Sequence, residues 1–543
     1  MPRYCLAPLL LTLLAPLLMG QDAPPAASAV TPTMAAAVQT LPEAAYGLIL
    51  IPDLNRLSQH GAQLAALFQD AGPAQPTLRD WLAGLLGDPG LTNLAHTPIV
   101  GVVVPGVPAP GIALIIPCVK PQAYLDALAN VNMTGQAIGT LAVVSNNPGA
   151  LHAGVAIAAS FQALIATPDA ADIRVVLSPK RLAAAYGGFL SAMIPMIAVR
   201  SAPNVAQVLG TELSAVLTIS ADVEAVQSDL TWTGTTLTID DSLVARTDSA
   251  LAKALVAPPR DVVPSPAALL DNRDAFLAVA GRLNANASGA YIGSLGSTLA
   301  NQPGFAGLIT PALIADLSKA MTAQTGTLAL QMFQSKGAPI NLVEAIGSTD
   351  PKSLEAIQKE IMGLFGAGFA MKMLGATTVF DAGVRSVGKI PIDRFTTTYA
   401  PGRQPPGMGP QQPIELACTD SFLLLSQDPA GLDAMILGTN HGMSLQAQKD
   451  FPAGMDFYGD LAPDVLANLV TVANPSFVPP AHLSHAAVTM AWAFADGTAR
   501  FHVHVPLGSL TDIASIVASL KAQHGQPPEV PARAQPASAG PTF

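Results

Sequence analysis

Hydrophobic positions along the chain form strand-length runs alternating with helical spacings, and the same succession of elements occurs twice. Pro98 to Pro117 reads as a hairpin leading into Lys120-Pro121, after which Tyr124, Leu125 and Leu128 take helical spacing. Much later, Gly326 to Gly347 leads into Asp350-Pro351, followed by Leu354, Ile357 and Ile361. Leu141 to Ser145 precedes Asn147-Pro148, as Phe422 to Ser426 precedes Asp428-Pro429. Ile173 to Leu177 runs into Ser178-Pro179, and Met455 to Leu461 into Ala462-Pro463. Proline in the first helical turn gives up no hydrogen bond, and a polar side chain before it can cap the helix. Turns at Thr233-Gly234 and Asp496-Gly497 close the two series, and a helix opens soon after each, at Ser249 and Ser509.

The prolines at 121 and 351, 148 and 429, and 179 and 463 lie 230, 281 and 284 residues apart, and the glycines at 234 and 497 lie 263 apart. Order is kept while spacing jumps, which predicts two tandem homologous domains, the second with an insertion at about 363–418 and a later deletion. The first spans 42–257 and the second 267–523, joined by a Pro-rich connector at 258–266. Strands interrupted by helices but also adjacent in pairs predict an α+β fold, each domain a mixed or antiparallel sheet with helices packed mainly on one face. The two-residue loop Asp496-Gly497 fixes a register that pairs Phe494 with Ala499, Trp492 with Phe501, Met490 with Val503 and Val488 with Val505, all apolar.

The ends alter this picture by adding an address. Residues 1–20 read as a secretory signal: Arg3 precedes the apolar run Leu6 to Met19, which Pro8 and Pro16 break, with cleavage after Gly20 or at Ala27-Ser28-Ala29. The chain is therefore expected to be secreted or periplasmic. Residues 21–41 form an Ala/Pro linker and 524–543 a similar tail, both too poor in large apolar residues to fold. Charged residues make up only 12% of the chain and hydrophobic ones 50%, yet no segment of the mature chain is a clean membrane-length run, so membrane contact after signal removal is disfavoured. The thinly spread formal charge of −11 argues against nucleic acid as a partner.

Candidate chemistry is sparse. His502 and His504 project from one side of a strand, a spacing that can chelate a metal, with His482 and His485 upstream; without an acidic residue or cysteine beside the pair, a solvated polar face is favoured. Cys118 and Cys418 remain after signal removal and could bridge the two domains in an oxidising compartment, although their non-equivalent positions favour free thiols. Ser386-Val387-Gly388-Lys389 has the spacing of some acyl-transfer enzymes, but it stands on loop and strand instead of a helix and lacks companion motifs. The most apolar mature stretch, Ile361 to Phe380, holds Phe365, Phe369, Met371 and Met373, an adaptable surface for an apolar ligand or partner.

No nucleophile elbow, metalloprotease helix, paired-cysteine metal motif or phosphate loop occurs, and no cofactor is implied. The balance is against an enzyme. The leading expectation is an exported, non-enzymatic binding or structural protein whose partner is a protein or other envelope component. Alternatives are a carrier of an apolar ligand or lipid using the Gly/Met-rich inserted segment, and an exported hydrolase with a dispersed acidic site.

Overall fold

The computed structural model describes residues 41, 45–67, 98–106, 110–128, 133–165, 171–200, 216–256, 258–259, 265–271, 275–300, 310–334, 340–367, 376–400, 411–452, 454–463, 467, 470–471 and 477–525. The signal, nearly all of the linker and nearly all of the tail lie outside the described residues, as do Phe369, Met371 and Met373.

Among the described residues, eighteen strands form one open sheet in which every ladder is antiparallel. In chain order they are β1 Gly47–Ile51, β2 Ile99–Val104, β3 Gly111–Pro117, β4 Thr134–Ile138, β5 Leu141–Ser145, β6 Ile173–Leu177, β7 Val223–Trp232 and β8 Thr236–Ala245. There follow β9 Ala275–Arg282, β10 Gln324–Gln334, β11 Ile340–Ser348, β12 Ala376–Val387, β13 Ile390–Tyr399, β14 Gln411–Cys418, β15 Phe422–Ser426, β16 Phe457–Leu461, β17 Val488–Ala495 and β18 Thr498–Pro506. Across the sheet the ladders run β4-β5-β3-β2-β1-β6-β7-β8, then β18-β17-β16-β9-β10-β11-β15-β14-β13-β12. Read outward from the β8–β18 seam, the two arms use their strands in the same chain order, and the second adds the β12–β13 hairpin at its far end.

Twelve helices among the described residues cover the sheet: α1 Leu54–Leu67, α2 Pro121–Leu128, α3 Pro148–Ala158, α4 Phe161–Ile165, α5 Pro179–Arg200, α6 Ala250–Ala254, α7 Ala285–Ala300, α8 Pro311–Thr322, α9 Pro351–Ala367, α10 Pro429–Leu437, α11 Ala447–Asp450 and α12 Leu507–Gly525. They lie on both faces, which corrects the expectation of helices mainly on one. On the front, Ala150, Ala153 and Ile157 of α3 pack with Leu48, Val100, Val102, Ile115 and Val143. On the back of the same arm, Leu54 and Leu57 of α1 and Tyr124, Leu125 and Leu128 of α2 pack with Ile99, Ile116 and Val144. The second arm repeats this, with Leu432 and Met435 of α10 in front and Tyr291 of α7, Met321 of α8 and Leu354 of α9 behind. Hence β2, β5 and β15 are buried at every position. Their sequences IVGVVV, LAVVS and FLLLS are continuous apolar runs, as strands covered on two sides require, and not the alternation of a half-exposed sheet.

Local chemistry sets the element ends. Asn147 Oδ1 accepts from Ala150 N at 3.0 Å and Asp350 Oδ1 from Ser353 N at 3.1 Å, each ahead of a first-turn proline. Asp428 makes no such side-chain bond, and the buried Ser178 hydroxyl has no partner, so those two do not cap as their sequence context suggests. Asp496 and Gly497 take positive φ of 42° and 80°, and their hairpin has the expected register at Phe494–Ala499, Trp492–Phe501 and Met490–Val503. Pro266 is buried at the start of a short 3-10 turn, so the described end of the connector packs against the second arm.

Gly326 is the tightest backbone position: its φ is +87°, Leu283 N donates to its carbonyl at 2.9 Å, and a Cβ there would stand 1.9 Å from the Leu283 carbonyl oxygen. Gly326→Ala is expected to destabilise the fold by roughly 2 kcal/mol or more, read as a lowered urea midpoint at unchanged slope.

Candidate functional site

Most of the front face is apolar and covered, but at the seam it turns polar. Because side chains alternate along each strand, the transverse row Arg174, Asp229, Asp240, His502, Ala491, Tyr458 lies on one face across β6, β7, β8, β18, β17 and β16. Flanking rows place Gln227, Ser242 and Arg500 on one side and Thr231, Thr238, His504, Thr489 and Asp460 on the other. Their back-face neighbours Val226, Ile239, Val503 and Met490 belong to apolar clusters, so the alternation of β7, β8, β17 and β18 is real here.

The charges in this floor are paired. Arg174 grips Asp229 with Nε to Oδ1 at 2.7 Å and Nη2 to Oδ2 at 2.6 Å, and Gln227 Nε2 adds a bond at 2.9 Å. His502 Nδ1 meets Asp240 Oδ1 at 2.5 Å. A carboxylate only accepts, so His502 Nδ1 carries the proton. The His504 ring lies 4.3 Å from the Phe451 ring, and its pKa is lowered by burial against the opposing pull of Asp240 and Asp450. Phe451 belongs to a strap in which Asp460 accepts from Gln446 N and Ala447 N, and Asp450 from the Thr489 hydroxyl. Burial raises the pKa of Asp460 although those two backbone bonds oppose it. The strap covers Ala491 and Tyr458, leaving the Arg174–Asp229–Asp240–His502 half partly open; Asp240 is 43% exposed.

The metal reading of His502 and His504 is not what the geometry brings together. One imidazole is committed to a carboxylate and the other faces an aromatic ring, and among the described residues no three His, Cys, Asp or Glu side chains converge as ligands. His482 and His485 lie on the loop before β17. Cys118 and Cys418 are not joined in a disulfide: Cys118 is buried behind the first arm, while Cys418 lies in the second, its thiol donating to Pro351 O at 3.1 Å with its pKa raised by burial and by nearby Glu355. Ser386 and Lys389 sit at the β12–β13 turn, not on a helix. Phe365 lies in α9.

A second cluster escaped the sequence reading. Asp172, 1% exposed, receives Arg56 Nε at 2.9 Å, Trp232 N at 2.7 Å and His60 Nδ1 at 2.8 Å. Arg56 and His60 are one turn apart on α1, and Gln63, one turn further, accepts from Trp232 Nε1 at 2.8 Å, so one helix face carries the whole contact. His60 remains 22% exposed. A third cluster fixes the added hairpin: Glu415, 2% exposed, accepts from Arg385 and Arg394, and Arg385 also pairs with Asp433 of α10. Burial works against that carboxylate, but the two arginines overcome it and hold its pKa below the ordinary value. Spacing along the chain gives no sign of these partners, which lie 21 to 169 residues apart.

Comparison of the chain with protein-family patterns, curated proteins and solved structures finds no match. Among the described residues no helix is long and apolar enough to cross a membrane.

Glu344 is the outlying carboxylate. On the back face it stands between Leu330 and Leu425, flanked along β11 by Leu342 and Ile346, with no hydrogen-bond or ion-pair partner among the described residues. Burial pushes its pKa from the ordinary 4.5 up to about 7. The folded state therefore holds a proton that the unfolded chain has released between those values. This contribution to stability is full below pH 4.5 and is lost as pH rises to about 7. Glu344→Gln should flatten that pH dependence and stabilise the protein at pH 8 by up to about 3 kcal/mol, measured by denaturant unfolding across pH 4 to 8.

Proposed function

We propose that the chain is an exported, non-enzymatic binding or structural component of the cell envelope, built from two copies of one α+β unit, 42–257 and 267–523. The strand order of the arms supports the duplication, and so do main-chain hydrogen bonds that recur at the sequence offsets. Cys118 N to Thr140 O is matched by Ser348 N to Ser421 O, and Ser178 N to Tyr46 O by Ala462 N to Phe276 O. Asp172 N bonds Leu230 O while its carboxylate takes Trp232 N; Asp456 N bonds Trp492 O while its carboxylate takes Phe494 N. Across the seam, Ala245 N to Gly497 O is matched by Leu507 N to Thr235 O.

The half-open polar floor at the seam carries the binding reading. There, paired charges at the middle of the sheet meet solvent on the front, between the α3–α4 side of one arm and the strap of the other. Such a rigid, partly desolvated polar surface suits a partner recognised by hydrogen bonds and charge. Export supplies the setting, with the partner an envelope protein or polymer. A photo-cross-linking residue placed at Thr238 or Ser242 should give a discrete adduct in intact cells, and the same residue at the distant, 74% exposed Val119 should not. Equal labelling from all three positions, or none from the floor, would remove this reading.

One observation favours the hydrolase alternative as a second reading: a buried carboxylate, Asp172, holds Nδ1 of the partly exposed His60 imidazole and leaves Nε2 outside that contact. Under it, the purified protein cleaves an activated ester such as p-nitrophenyl acetate, and His60→Ala abolishes turnover with an unchanged melting curve. Equal rates for the two proteins would leave the binding reading alone.

A further inference from the structure

The β8–β18 ladder pairs Thr236 with Pro506, Leu237 with Val505, Thr238 with His504, Ile239 with Val503, Asp240 with His502, Asp241 with Phe501, Ser242 with Arg500, Leu243 with Ala499 and Val244 with Thr498. Both strands hold the same place in their arms, and their first residues, 236 and 498, are 262 apart. Applying that offset to any pair returns another pair of the same ladder: Ile239–Val503 becomes Phe501–Asp241, and Thr238–His504 becomes Arg500–Ser242. The ladder therefore has the register of a twofold axis. Only Asp240 and His502 face their own equivalents, so the axis passes between them.

A symmetric edge can join with a copy of itself. What breaks the symmetry here is charge. Along the ladder β8 carries Asp240 and Asp241 and no base, while β18 carries Arg500, His502 and His504 and no acid. Pairing two first arms would set Asp240 against Asp240, and pairing two second arms would set His502 against His502 and Arg500 against His504; only the mixed pairing gives the Asp240–His502 contact. We infer that the seam carries a pairing code, acidic on β8 and basic on β18 and centred on Asp240–His502, which directs the first arm to the second and away from the matching arm of another copy of this chain. This rests on the duplication reading above, since the interchange of positions 240 and 502 follows only from equivalent arms.

The groups facing the axis pair are Asp229, gripped by Arg174, from β7 and β6; Arg500 and His504 on β18; Ala491 on β17; and Phe451 and Asp450 of the strap. Asp241 points to the back, its pKa raised by burial against the Ser228 hydrogen bond.

The test uses the full chain in three forms, H502D, D240H and the double exchange D240H/H502D, followed by amide exchange in peptides covering 236–245 and 498–506 and by light scattering. H502D should speed seam exchange roughly tenfold by setting carboxylate against carboxylate, while the α3-covered core of the first arm is unaffected. D240H should speed seam exchange as well, since it removes the Asp240–His502 contact. The double exchange should return seam exchange to within about threefold of the native rate, with a single-chain mass. Native exchange in both single variants would overturn the code and leave the duplication standing. Single variants that open the seam with no recovery in the double would overturn the equivalence of 240 and 502, and with it both readings. If a single variant does not fold, recovery of folded protein by the double exchange supports the code and failure to recover overturns it.

Discussion

Everything in this fold hangs on the ladder between β8 and β18. Without it each arm ends in an edge strand whose backbone N–H and C=O groups have no partner, the exposure that sheet proteins must hide. The cost would not stop at hydrogen bonds. One cluster behind the seam mixes Val223, Ala245 and Leu251 of the first arm with Phe276, Phe457 and Trp492 of the second, so parting the strands would divide a shared core. A stiff connector between two independent beads would need no such core. The two arms instead form one continuous sheet, and the helices settle on whichever face each strand pattern leaves apolar.

Much of this was legible in the order of elements. The hairpin positions, the prolines opening helices and the register of β17 with β18 all follow from neighbours in sequence, because turn geometry and first-turn proline act over a few residues. The placement of helices on both faces is also legible, in the uninterrupted runs Ile99 to Val104 and Phe422 to Ser426, which lack the alternation of a half-exposed strand. What could not be read was anything needing a partner far along the chain. His502 was visible as a candidate and Asp240 was not, since they meet only through a seam closing 262 residues of chain. The same holds for Asp172 and the two residues of α1 that reach it.

The arms differ most where the seam floor lies. Arg174, Asp229 and Gln227 of the first occupy the positions that Tyr458, Ala491 and Thr489 hold in the second, on the duplication reading. In the second arm those smaller or aromatic side chains accept the strap, with Ala447 and Phe451 packed on Ala491. A carboxylate gripped by an arginine could not be covered by the same apolar segment without an uncompensated desolvation cost. One scaffold position thus supports either a closed apolar contact or a charged open one. The distal hairpin diverges by the same logic, with the Arg385, Arg394 and Glu415 network tying β12, β13 and β14 to α10 through Asp433.

That logic also bears on the two histidine–aspartate pairs. Asp172 and Asp456 each accept a backbone N–H from the neighbouring strand, so the buried carboxylate belongs first to the scaffold: it satisfies a main-chain donor where the strand begins. In the first arm Arg56 and His60 also reach it, and Arg56 alone already balances its charge. Orientation of the imidazole is then something added to a carboxylate that the fold needs regardless, and removing Asp172 would disturb the strand and the imidazole together. The Asp240–His502 pair has the opposite character. Among the described residues neither side chain takes a backbone donor, and both are partly open; their contact exists only where the two arms meet.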